Sequence, residues 1–123
     1  MSIVDTTIKI IVTLQFEALH SWPGVVEALP NDPEIHFLQY PHRHIFHFRL
    51  EKTVNHTDRD VEIILLKRKV QEYLKEKYPT NDIGSTSCEM LAWDIGSKFN
   101  CDAVEVLEDG ENGGKIVRRK VQE

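Results

Sequence analysis

This sequence has few cysteines and fewer basic than acidic residues, and each feature excludes a class of protein. Two cysteines, Cys88 and Cys101, are too few to cross-link a small secreted scaffold. Fifteen Lys and Arg residues against twenty Asp and Glu residues give a net charge of −5, the wrong sign for binding to phosphate backbones. No long apolar run is present, and no basic and apolar leader opens the sequence. We therefore expect a cytoplasmic protein that binds neither nucleic acid nor membranes.

The composition is otherwise that of an ordinary folded chain. Hydrophobic residues make up 41% and charged residues 28% of the 123 residues, which argues against disorder. This length leaves no room for a second module. The sequence therefore predicts a single domain over residues 1–123.

Two segments in the first half of the chain alternate between apolar and polar residues, as half-buried strands do. They are residues 7–16 and residues 42–54. Between them, residues 21–41 contain Gly24 and most of the prolines, which predicts a long loop without regular structure. A polar turn after the second strand predicts a hairpin whose other arm, residues 59–63, runs into a helix.

The second half of the chain has the spacing of two helices followed by two strands. Apolar residues recur at helical intervals from Leu66 to Tyr78, where Pro79 ends the pattern, and Thr86 or Ser87 can cap the next helix. The apolar stripe of that helix is Met90, Leu91, Ile95 and Phe99. Strands are expected at residues 103–109 and 115–121, on either side of a glycine-rich turn. The order predicts an α+β domain with an antiparallel sheet.

Five of the six histidines lie between His20 and His47. His42 and His44 are two residues apart on a predicted strand, so their imidazoles point to the same side. His20 continues the even-numbered face of the first strand and would join them if the two strands pair. Three imidazoles with an open fourth position form a catalytic zinc site, although a His-x-His pair can also be two ordinary surface histidines.

The remaining histidines are expected to be ordinary polar side chains. His47 falls on the opposite strand face from His42 and His44, and His56 falls in a polar turn. His36 lies in the proline-rich loop, where it could instead line a pocket.

Four segments resemble the motifs of one enzyme family, in the family's order. They are FEALHSWP at residues 16–23, HRHIF at 42–46, STSCEMLA at 85–92 and VEVLE at 104–108. These segments are similar to FEAAHxLP, HGHNY, ST(T)ENxA and V-x-V-x-E of the 6-pyruvoyl-tetrahydropterin synthase and 6-carboxytetrahydropterin synthase family. The resemblance covers roughly residues 7 to 117.

This resemblance implies the tunnelling fold, in which ββααββ subunits with two helices on one sheet face join edge to edge into a barrel. Ligand sites then form between neighbouring subunits of a homo-oligomer, commonly a hexamer built from two trimers. It also implies that His20, His42 and His44 bind zinc. The activity implied is that of a zinc lyase acting on a dihydroneopterin triphosphate-like pterin, in tetrahydropterin or queuosine-precursor synthesis.

The resemblance further assigns a ligand site. Glu108 would accept paired hydrogen bonds from the guanidine-like edge of a pterin. Thr86, Ser87 and Cys88, at a helix N-terminus, would supply donors beside it. Without the resemblance, Glu108 would be interpreted as a solvated carboxylate at a strand end.

The sequence departs from the family in its proton-transfer residues. Leu38 stands where active members have a cysteine, and leucine transfers no proton. The LDHxxLN segment that supplies the rest of the relay after the first helix is missing. The candidate substitutes are His36, Tyr40, Asp82 and Cys88, the last because a helix N-terminus favours a thiolate.

Cys101, in contrast, is expected to be an inert buried thiol.

Because the usual proton-transfer residues are missing, two alternatives to the lyase stay open. The first is a catalytically inactive module that binds or sequesters a pterin- or purine-like small molecule. The second is a structural oligomer in which zinc only fixes the loop.

Overall fold

The computed structural model of the protein describes residues 4–119 and contains one antiparallel sheet of four strands. In their order across the sheet, the strands are β1 (Ile8–His20), β2 (His42–Val54), β3 (Ala103–Glu108) and β4 (Asn112–Val117). The helices are α1 (Val25–Ala28), a 3-10 helix (Pro33–Gln39), α2 (Ile63–Lys77) and α3 (Cys88–Phe99). The α+β class and the antiparallel sheet are thus confirmed.

β1 and β2 are paired along their whole length, from Ile8 opposite Val54 to His20 opposite His42. β1 therefore continues beyond the predicted end at Phe16. Its even-numbered residues face the helices, and its odd-numbered residues are exposed. The core between the sheet and the helices includes Val12, Leu14, Phe46, Phe48, Leu50, Leu66, Val70, Leu74, Leu91, Ile95, Val104 and Val106.

Both long helices begin at side-chain caps. The Glu62 carboxylate accepts a hydrogen bond from the Leu65 N–H at 2.6 Å and caps α2. Of the two predicted caps of α3, Ser87 is the one that acts, because its Oγ accepts from the Met90 N–H at 3.1 Å. α3 ends at Phe99, and the capping residue Asn100 that follows adopts the left-handed conformation with φ 52°.

Two predictions about the connecting segments were wrong. Residues 21–41 contain α1 and the 3-10 helix, because Pro33 falls in the first turn of the 3-10 helix, where its missing N–H costs nothing. Residues 59–63 form no hairpin arm. Arg59 has φ 56°, and the Asp60 carboxylate accepts from the Asn55 N–H at 2.7 Å, so the chain turns directly into α2.

The structure also corrects the predicted apolar face of α3 and the predicted bounds of the last strand. Met90 is 60% exposed and does not belong to the apolar face of α3, which is formed by Leu91, Ala92 and Ile95. The last strand begins at Asn112, earlier than predicted, and ends at Val117. The predicted end of this strand, residues 120 and 121, lies outside the described residues.

Within residues 4–119, no helix combines the length and the apolar character needed to cross a bilayer.

Cys88 and Cys101 are both free thiols, and both are buried.

Candidate metal centre and adjoining pocket

His20, His42 and His44 converge at one end of the β1–β2 pair. His20 lies opposite His42 in the register, and His44 lies opposite Ala18, so the three imidazoles share the even-numbered face. Their ring centroids are 4.4, 5.0 and 5.1 Å apart. One nitrogen from each ring lies within 4.8 Å of the other two. The structure therefore brings the predicted histidines together, and the cluster could hold a metal ion.

In His42 and His44, a hydrogen bond to one ring nitrogen determines which nitrogen is free to bind a metal. The His42 Nδ1 lies 2.8 Å from the Tyr40 carbonyl oxygen, which can only accept, so Nδ1 carries the proton and Nε2 the lone pair. The His44 Nδ1 contacts the Asp109 carboxylate at 2.6 Å in the same way. Among the described residues, the Nε2 atoms of His20 and His42 are buried without a hydrogen-bond partner. Such orphaned atoms are rare in folded proteins, and they fit metal ligands.

The environment of His20 favours its neutral form. Burial lowers the pKa of this imidazole, and the neighbouring His42 lowers it further. Glu108 and the backbone of Thr86 raise the pKa but do not reverse the shift. A neutral imidazole is the form that binds metal, so the local electrostatics agree with ligation.

Glu108 places a carboxylate beside this cluster. Its Oε2 lies 3.3 Å from the His44 Nε2, and its Oε1 lies 3.6 Å from the His20 Nε2. The side chain is 33% exposed, so Glu108 is not a freely solvated carboxylate at a strand end. A negative charge and two acceptor oxygens therefore stand next to the histidines.

A pocket of about 530 Å³ adjoins the cluster. Of the residues predicted to form the metal and ligand sites, all except His44 line this pocket: His20, His42, Thr86, Ser87, Cys88 and Glu108. Leu38 lines the same pocket and gives it an apolar surface. It is the residue that the sequence resemblance aligns with a cysteine of the active enzymes.

Three of the predicted proton-transfer substitutes are not among the residues that line this pocket. The His36 Nε2 hydrogen-bonds the Leu29 carbonyl at 2.8 Å. Tyr40 is 65% exposed and contributes only its carbonyl to the His42 ring. Asp82 accepts a hydrogen bond from the Gly84 N–H at 2.8 Å, within its own turn.

Cys88 does line the pocket, but its thiol is not activated. Burial raises the pKa of Cys88 to about 12, and the nearby Glu108 carboxylate contributes to the rise. The Sγ lies 3.9 Å from the Glu108 Oε1, which is compatible with a weak S–H donor. The raised pKa opposes the thiolate expected at a helix N-terminus, because burial and a negative neighbour favour the protonated thiol.

The other histidines are separate from the cluster. His47 lies on the opposite face of β2, as predicted, and borders a different hollow together with Arg49 and Glu105. His56 stands in the turn after β2, with its Nε2 3.5 Å from the Asp60 carboxylate.

Asp109 is a site residue that the sequence patterns missed. It follows Glu108 directly and contacts His44, but it lies in a turn where both Asp109 and Gly110 have positive φ, 54° and 75°. The Ile45 N–H and the His44 ring lower the pKa of this carboxyl group. Its position at the end of the strand that carries Glu108 was the only available signal.

No known protein family matches the sequence, and no curated protein shows significant similarity to it. The family assignment therefore stays a prediction that is based on the four sequence motifs.

Proposed function

We propose that this protein is a zinc-dependent lyase of the 6-pyruvoyl/6-carboxy-tetrahydropterin synthase type, acting on a dihydroneopterin triphosphate-like pterin in tetrahydropterin or queuosine-precursor synthesis. The observation that carries the proposal is the pair of buried, unpartnered Nε2 atoms of His20 and His42 on the wall of a pocket that also contains Glu108. A ligand in this pocket would contact the metal and the carboxylate together.

His20, His42 and His44 would hold the ion. Three imidazole nitrogens suit zinc, and the group of possible metal ligands found among residues 4–119 consists of these three histidines. Bound zinc supplies Lewis-acid polarisation of a ligand oxygen.

Glu108 would recognise the pterin ring. Its two oxygens can accept a paired hydrogen bond from a ring N–H and an exocyclic amine, and the Thr86 and Ser87 hydroxyl groups can bond to the ring edge. The pocket volume of about 530 Å³ lies within the range of small-molecule sites.

A second candidate function is binding without turnover, for a pterin- or purine-like small molecule. The observation that favours it is the inert lining near the cluster. Leu38 transfers no proton, and the Cys88 thiol, with its pKa raised to about 12, stays protonated at neutral pH.

One experiment separates these functions. Zinc-loaded protein is incubated with dihydroneopterin triphosphate, and mass spectrometry detects product and protein-bound ligand in the same sample. Product formation supports the lyase, and stoichiometric binding of unchanged ligand supports the binding module. Neither product nor binding contradicts both.

A pair of variants tests the role of Glu108. Glu108→Ala should weaken pterin binding about tenfold or more, because hydrogen bonds to a charged group contribute roughly 1.5–3 kcal/mol. Glu105→Ala, on the opposite face of β3, is the matched control and should bind normally. Zinc affinity should not fall in either variant. A loss of zinc in Glu108→Ala would instead identify this carboxylate as a metal ligand.

We further propose that the chain assembles into a homo-oligomeric barrel, as a hexamer of two trimers. β1 and β4 are the edge strands of the described sheet, and the outer edge of β1 is covered near its end, where Leu19 forms a bridge to Asp82. Unpaired strand edges are templates for pairing with another chain. Native mass spectrometry should give six times the subunit mass, and a monomer would contradict this assembly.

A further inference from the structure

Asp109 directly follows the last residue of β3, and both oxygens of its carboxylate contact β2 at the metal cluster. Oδ2 lies 2.6 Å from the His44 Nδ1, and Oδ1 accepts a hydrogen bond from the Ile45 N–H at 2.9 Å. The Asp109 N–H in turn donates to the Ile45 carbonyl at 2.7 Å. Two adjacent residues of β2 are thus held by one side chain.

These contacts continue the β2–β3 ladder past its last register pair. That pair is Phe46 opposite Glu108. Beyond it the chain turns, since Asp109 and Gly110 both have left-handed φ. In a continuing strand, a backbone carbonyl would accept the hydrogen bond from the Ile45 N–H. Here one oxygen of the Asp109 carboxylate accepts it, and the second oxygen is left for His44.

We propose that Asp109 is a positioning residue of the metal centre: it keeps the proton of His44 on Nδ1 and so presents Nε2 as the metal donor. The inference rests on the proposed zinc site. A carboxylate that hydrogen-bonds the far nitrogen of a ligating histidine fixes both the tautomer and the ring orientation. No pattern in the sequence assigns this role to Asp109.

Glu108 opposes Asp109 on the same ring. Its Oε2 lies 3.3 Å from the His44 Nε2, on the side where a metal would bind, and it favours a proton there. The Asp109 contact is shorter, at 2.6 Å. Without Asp109, the Glu108 carboxylate would be the nearest charged acceptor of a His44 proton among the described residues, and the proton would block the ligating nitrogen.

Asp109→Asn is an isosteric test of this role. When the asparagine oxygen accepts from the Ile45 N–H, its NH₂ group faces the His44 Nδ1 and requires that nitrogen to accept. The proton then moves to Nε2, the ligating atom. When the amide is reversed, the NH₂ group faces the Ile45 N–H donor and that bond is lost. Neither orientation satisfies both partners while the His44 proton stays on Nδ1.

Zinc affinity is the first measurement, by competition with a chromophoric chelator at fixed pH. Asp109→Asn should bind zinc about 10- to 100-fold more weakly than the wild-type protein. The second measurement is nitrogen NMR of the zinc-loaded protein, in which His44 should show a protonated Nδ1 with a slowly exchanging proton. This signal should be lost in Asp109→Asn.

Asp60→Asn is the matched control. Asp60 also has one oxygen on a backbone N–H, that of Asn55 at 2.7 Å, and the other 3.5 Å from an imidazole, that of His56. His56 does not belong to the cluster, so this variant should keep the zinc affinity of the wild-type protein. Weaker zinc binding in Asp60→Asn as well would trace the effect to lost stability and overturn the proposal.

An Asp109→Asn variant with zinc affinity within threefold of wild type would also overturn it. If that variant does not fold, the wild-type NMR spectrum decides: ligation of His44 through Nδ1 contradicts the proposal, and ligation through Nε2 with a protonated Nδ1 supports it. If the wild-type protein binds no zinc, the zinc-dependent function fails. The Nδ1 proton of metal-free His44 then still tests its pairing with Asp109.

Discussion

His42 and His47 lie on the same strand, and the alternation of β2 alone separates their surroundings. His42 belongs to the cluster, and its buried Nε2 has no hydrogen-bond partner among the described residues. His47 lies on the other side of the sheet. His42→Ala should reduce zinc affinity by more than about 100-fold, beyond the loss typical of outer-shell partners. Isothermal titration measures this affinity. His47→Ala is the control, and an equal loss in both variants would contradict the assigned cluster.

The two cysteines should be unreactive in the native protein. Burial is the first cause of the raised pKa of both thiols, to about 12 for Cys88. Because a thiol below its pKa is protonated, almost no Cys88 thiolate is present at pH 8, and iodoacetamide attacks the thiolate. Burial keeps Cys101 away from the reagent. Mass spectrometry should find no label on native protein at pH 8 and two labels after denaturation. Rapid native labelling of Cys88 would contradict its protonated state.

At the scale of secondary-structure elements, the β3–β4 hairpin depends on a glycine. A Cβ atom on Gly113 would lie 1.8 Å from the Val106 carbonyl oxygen, which is a backbone atom and cannot move aside. Gly113→Ala should therefore displace β4 and reduce the free energy of unfolding by about 3 kcal/mol or more, measured by urea denaturation.

Gly24→Ala is the control for this variant. A Cβ atom there would lie 3.5 Å from the Trp22 side chain, an ordinary contact. We expect its stability to stay within about 0.5 kcal/mol of wild type. Equal stability of the two variants would show that β4 tolerates a Cβ at Gly113.

Strand periodicity predicted the histidine cluster on the condition that the first two strands pair. Side chains alternate with a period of two whatever the surroundings, and the unbroken register carries this parity along β1 to His20. Periodicity says nothing about turns. The approach of Asp109 to His44 depends on two successive left-handed residues, and the missing hairpin arm depends on Arg59 at φ 56°. The first feature is a contact between residues far apart in the sequence, and the second includes a bond within a loop, from the Asn55 N–H to the Asp60 carboxylate. The period of two encodes neither.

At the scale of the whole molecule, zinc should act as a stabiliser. A metal that binds only the folded chain adds about 2.7 kcal/mol to the free energy of unfolding when its concentration is 100 times the dissociation constant. Thermal melting with and without zinc measures the gain, and it should be absent in His42→Ala. Equal melting temperatures for zinc-free and zinc-loaded wild type would argue against a folded-state site.

His20 is the last residue of β1 and His42 the first of β2, so the proposed metal would bridge the two ends of residues 21–41. In terms of chain statistics, this bridge is a reversible cross-link that closes a loop in the folded chain. Trp22 and Leu38, within that loop, form part of the pocket wall. Metal occupancy and the shape of the ligand pocket are therefore thermodynamically linked: a ligand that requires the closed wall should slow the loss of the metal.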